Sequence, residues 1–148
     1  MLAERLAEDL KQAMKDKDKV RLSVIRMVRA AMKNAEIDKQ RPLNDDEILD
    51  VLNRELKQRQ EALAEFEKAG RQDLSQQAQE EIRILRQYLP EPLDEEALLA
   101  LIDEAIRETG ATTKRDLGKV MGILMPKVKG RADGKKVNQL VQQRLGDA

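Results

Sequence analysis

Apolar side chains recur along this chain at helical spacing from end to end, and no stretch alternates with the period of two that a strand requires. That pattern restricts the fold to helices packed on helices, an all-α architecture. Leu2, Leu6, Leu10 and Ala13 form a first stripe that ends near Lys15–Asp18. Asp18 is placed to cap a second helix with Arg21, Val24, Ile25, Val28, Ala31, Met32 and Ala35 on its face. Pro42 breaks the chain, and Asn44 followed by Glu47 reads as a capping box. A long third helix then carries Ile48, Leu52, Leu56, Leu63 and Phe66 up to Gly70. Asp73 is expected to open a fourth, with Leu74, Ala78, Ile82, Leu85 and Leu89.

Pro90 and Pro92, at alternate positions, forbid a continuing helix and stiffen an extended link. The expected division is an N-terminal antiparallel helical unit over residues 1–89, a proline linker over 90–93, and a three-helix unit over 94–148. In the last unit Asp94 starts a helix with Leu98, Leu101, Ile102 and Ala105 that Gly110 stops. Thr113 with Asp116 opens the next, carrying Leu117, Val120, Met121 and Leu124, and Pro126 is expected to bend or end it. Asp133 caps the last, with Val137, Leu140, Val141 and Leu145.

Composition narrows the chemistry. The chain has no Cys and no His, so the usual nucleophile–base pairs and the common zinc sites cannot be built. Ser23 and Ser75 are the only serines, and neither sits in a glycine-flanked elbow. No catalytic residue, metal ligand or cofactor site is therefore expected. The lack of Cys, of a long apolar run and of an apolar N-terminal region predicts a cytoplasmic protein with no membrane partner.

Charge is distributed unevenly although the formal net charge is zero. Residues 1–41 carry 11 basic and 7 acidic side chains, residues 42–110 carry 8 and 18, and residues 111–148 carry 9 and 3. The basic residues of the last block gather around Met125 to Lys136, where Lys127, Lys129, Arg131, Lys135 and Lys136 accompany Gly130 and Gly134, with Lys119 upstream. Such a rim suits an anionic partner, although a solvated helix surface also explains it. Asp133 counts against a phosphate seated on the helix N-terminus, because a capping carboxylate uses those donors. Arg131, between two glycines, is read either as reaching furthest, towards a two-pronged phosphate contact, or as a solubilising turn residue. Arg21, Arg26, Arg29 and Lys33 form a weaker basic patch, more simply read as a solvated face.

Two look-alikes fail. Gly130 to Lys136 has three residues between its glycines where a nucleotide P-loop has four, and Lys136 stands where Ser or Thr is required. It also lacks the two-residue gap of a KH-domain loop. Gly118 and Gly122, four apart, are read as permitting close helix packing.

The run from Leu117-Gly118-Lys119-Val120-Met121-Gly122 through Met125-Pro126-Lys127-Val128-Lys129-Gly130-Arg131-Ala132-Asp133-Gly134 resembles the signature of the GatB/YqeY family. Tyr88-Leu89-Pro90 with Leu93 is similar to that family's linker, and Leu22-Ser23-Val24-Ile25-Arg26 to its N-terminal helix. The resemblance implies two helical subdomains and kinship with the tail of the B subunit of the glutamine-dependent aspartyl/glutamyl-tRNA amidotransferase. It implies tRNA as partner, with amidotransferase or translation proteins beside it, and Lys119, Lys127, Lys129, Arg131 and Lys135 in contact with RNA. A carbon–nitrogen ligase label with glutamine as amido-N-donor also attaches to the family, but no residue here supplies that chemistry, so the isolated chain is expected not to be an enzyme. The competing expectation is a non-catalytic protein–protein adaptor without RNA affinity, working through apolar grooves between helices.

Overall fold

The computed structural model describes residues 1–146. Seven α-helices and one 3-10 turn account for the regular structure among them, so the described chain is all-α. They are α1 (Leu2–Asp16), α2 (Lys19–Lys39), α3 (Asp45–Lys68), α4 (Gln72–Arg86), α5 (Glu95–Thr109), the 3-10 turn Lys114–Asp116, α6 (Leu117–Val128) and α7 (Gly134–Arg144). Two compact units result, Met1–Pro90 and Glu91–Ala148.

Local chemistry sets most helix starts. Asp18 accepts from the N–H of Arg21, Asp94 from that of Ala97, and Asn44 forms a reciprocal box with Glu47. Each such cap contributes about 1 kcal/mol. Asp45, Asp46 and Glu47 add negative charge where the α3 dipole is positive. The start of α4 differs from expectation. Gly70 turns the chain at φ 68°, so the helix begins at Gln72 with Arg71 in the cap position and no side-chain cap. Asp73 lies inside the first turn instead, 3.2 Å from Arg71.

In the first unit Leu6, Val24, Ile25, Val28, Ile48, Leu52, Ile84 and Leu85 are all 0–1% exposed. Each such side chain contributes on the order of 2 kcal/mol by leaving water. Tyr88 closes this core, with its hydroxyl donating to Asp9 and its ring beneath the Arg5 guanidinium. In the second unit, α5, α6 and α7 pack through Ile102, Val120, Leu124, Val128, Val137 and Val141, each fully buried.

Candidate nucleic-acid interface

The turn joining α6 to α7 is pinned from below and cationic above. Val128 and Val137, one on each side of it, are fully buried. The chain leaves α6 at Lys129, and Gly130 takes φ 75°, a left-handed conformation that glycine adopts without strain. The N–H groups of Arg131 and Ala132 then both donate to the Val128 carbonyl, at 2.9 and 3.1 Å. Asp133 caps α7 by accepting from Lys135 N–H at 3.1 Å. One of the helix's free donors is thereby occupied, and the Lys side chains form the accessible positive surface.

Pro126 does not stop α6, which runs on to Val128. Proline removes the N–H that would serve the Gly122 carbonyl, yet the buried Leu124 before it and Val128 after it hold the last turn on the core. The reading of Gly118 and Gly122 as a close-packing seam is corrected. Both are exposed, and a Cβ built on either meets nothing within 4 Å. The packing face of α6 is the opposite one, through Val120 and Leu124.

Lys119 and Lys127 on α6, Lys129 at its end, and Lys135 and Lys136 in the first turn of α7 are all exposed. Lys127 lies 3.8 Å from Glu108 of α5, an exposed pair worth little. Lys119 lies near Asp116, whose carboxyl is held below the usual carboxylate range. The cause is first the N–H groups of Thr112 and Thr113, with the Lys119 charge a smaller contribution. That carboxylate closes the Thr113 capping box that leads into α6.

Arg131 departs from expectation. It is half-buried, its Nε–H donates to the Glu91 carbonyl at 3.0 Å, and its own carbonyl accepts from Leu93 N–H at 2.8 Å. The free-reaching arginine of the sequence reading is therefore tied to the chain after Pro90, with only its outer nitrogens left for a ligand. Several cations escaped sequence reasoning. Lys114 and Arg115, exposed on the 3-10 turn before α6, extend the positive surface. Arg107 and Arg144 line an open groove of about 500 Å³ between α5 and α7, where Arg144 faces Asp103 at 3.7 Å.

Among the described residues no cluster of three His, Cys, Asp or Glu is arranged to hold a metal ion. None of the described helices is long and apolar enough to cross a membrane.

Comparison with known proteins is consistent across nearly the whole chain. Residues 3–145 match the family described as Yqey-like protein. The mitochondrial protein named altered inheritance of mitochondria protein 41 from Pyrenophora tritici-repentis is 32% identical over 147 residues, covering 96% of this chain and 80% of that protein. Its namesake from Kluyveromyces lactis is 37% identical over 123 residues, 78% of this chain and 66% of the relative. The one from Eremothecium gossypii is 38% identical over 85 residues, 57% of this chain and 46% of the relative. The match thus spans less than two thirds of the latter two.

These names correct the expectation of a cytoplasmic protein, because they place the relatives in mitochondria. Cysteine usage sorts oxidising from reducing surroundings and does not name an organelle. The match over residues 3–145 shows the family: the chain belongs to the Yqey-like protein family.

Proposed function

We propose that this chain is a tRNA-binding accessory protein, acting as the tail of the glutamine-dependent tRNA amidotransferase B subunit does. The observation that carries the reading is the set of exposed Lys127, Lys129, Lys135 and Lys136 at the turn joining α6 to α7, with Lys119 exposed at the start of α6, within the segment that bears the family motif. Phosphates met by these ammonium groups release counterions, and five contacts give log K a slope against log salt of roughly −4. Recognition is by shape and backbone. Residues 91–148, the unit that holds these lysines, contain no Phe, Tyr or Trp, so that unit offers no aromatic platform to stack an unpaired base.

The isolated chain performs no amide transfer in this reading. Family kinship supplies the carbon–nitrogen ligase label, while the absence of His and Cys removes the usual nucleophile–base pairs. The test is a titration of bulk and mitochondrial tRNA, at several salt concentrations, against wild type and the triple variant Lys129→Glu, Lys135→Glu, Lys136→Glu. Steep salt dependence and loss of binding in the variant, with unchanged thermal unfolding, support the reading. Equal affinity in both proteins removes it and leaves the adaptor reading.

A further inference from the structure

The α3–α4 pair offers one long seam, and α2 covers only part of it. Val24, Ile25 and Val28 of α2 join Leu52, Ile84 and Leu85 in the buried core. Beyond that layer the seam opens into a cavity of about 320 Å³, to which α2 contributes Met27 alone. Ala62 and Phe66 of α3 and Leu74 and Ala78 of α4 form its apolar walls. The two alanines leave room that larger residues would fill. Phe66, the sole phenylalanine, is half-buried here instead of joining the core, and Met27 is 47% exposed.

A second observation lies at the inner end of this cavity. Arg59 lines it while only 7% exposed. One guanidinium nitrogen donates to the carboxylate and, at 3.2 Å, to the backbone carbonyl of Glu55. Another has only the Met27 thioether, at 3.0 Å, and sulfur is a weak acceptor. Its Nε lies 3.3 Å from a Glu81 oxygen, close enough for charge attraction but without hydrogen-bond direction, and has no hydrogen-bond partner. A buried donor left in this state is costly, and natural structures rarely keep one without cause.

Charge selects the occupant. Glu55 and Glu81 outnumber Arg59 locally, and residues 58–81 carry six carboxylates against three cations. Phosphate or an acidic peptide is repelled, and a basic segment is attracted. The walls are two packed helices whose seam already holds a third helix over its other half, so a helix is the shape that fits. We propose that the distal half of the α3–α4 seam docks a basic amphipathic helix of a partner protein. One apolar side chain of that helix sits against Phe66 and an uncharged oxygen faces Arg59. This surface belongs to the first unit and does not depend on tRNA binding.

The experiment is a fluorescence-anisotropy titration of the full chain against a dye-labelled amphipathic peptide of about 15 residues, made of leucine and lysine. The same design with glutamate replacing lysine serves as the control. The leucine–lysine peptide binds and the leucine–glutamate peptide does not. Ala62→Leu fills the cavity without altering charge and weakens binding at least about tenfold. Phe66→Ala, which removes the wall, does the same, and both variants keep the wild-type helix content. Wild-type affinity in both variants means general charge attraction and overturns the proposal. A dimer of the free chain that Ala62→Leu splits into monomers also overturns it, since the occupant is then a second copy.

Discussion

Arg131 and Glu91 are joined by a hydrogen bond across 40 positions of sequence, Nε–H to backbone carbonyl at 3.0 Å. The reciprocal bond from Leu93 N–H to the Arg131 carbonyl, at 2.8 Å, makes a two-point clamp. Glu91 to Leu93 is thereby fixed to the α6–α7 turn, and that turn is where the exposed lysines gather. The arginine thus orders the surface on which those lysines stand.

Arg131→Ala removes the side-chain half of the clamp and leaves the backbone half. A charge-assisted bond at a half-exposed site contributes about 1 kcal/mol. The variant is expected to unfold at slightly lower denaturant, with markedly faster amide exchange at Leu93 and little change at Val137 in the core of the same unit. Arg131→Lys restores the charge but not the Nε–H geometry, so Leu93 exchange stays fast in it. Hydrogen exchange read residue by residue checks both, and wild-type exchange at Leu93 in Arg131→Ala would show that the clamp holds nothing.

Tyr88 and Asp9 make the corresponding contact in the first unit. The phenol is 4% exposed and donates to the carboxylate, with Arg5 lying 4.5 Å from the ring centre. Burial first, and then the bond to Asp9, push the hydroxyl well above its ordinary value of 10. The folded chain therefore holds the phenolic proton more tightly than the unfolded chain does. That contribution is complete below about pH 10 and is lost as pH rises through and beyond that value. Tyr88→Phe is expected to cost about 1 kcal/mol at neutral pH. Its stability should also fall less steeply than the wild type's above about pH 10. Urea unfolding of both proteins across that range checks the sign, and parallel curves would count against it.

What sequence reasoning recovered, and what it did not, follows the reach of each interaction. Asp18, Asn44, Asp94 and Asp133 were readable as caps because a cap is decided within three or four residues. Asp73 misled because Gly70 turns the chain in time for Arg71 to take the cap position. The lysines around Gly130 were visible as a cluster in the chain itself. The inward tie of Arg131 was not, since its acceptor lies on Glu91, beyond the reach of any local pattern. Arg59 leaves a trace in the sequence. It falls between Leu56 and Leu63 on the apolar spacing of α3, where a charged residue facing inward needs partners, here Glu55 of the same helix and Glu81 of α4.

Gly118 and Gly122 yield the last prediction. Both lie in α6 with ordinary helical backbone, both are exposed, and neither position is crowded within 4 Å of an added Cβ. Glycine there carries only its entropic disadvantage in a helix, about 0.5–1 kcal/mol against alanine in a helix interior. Gly122→Ala is therefore expected to raise the unfolding free energy of the second unit by about that amount. Gly118→Ala, nearer the helix start, should add less. Thermal unfolding of the single and double variants measures this directly. Had these glycines served to admit a neighbouring helix of the same unit, each alanine would destabilise instead, so a fall in the unfolding midpoint would restore the close-packing reading that the open space above α6 argues against.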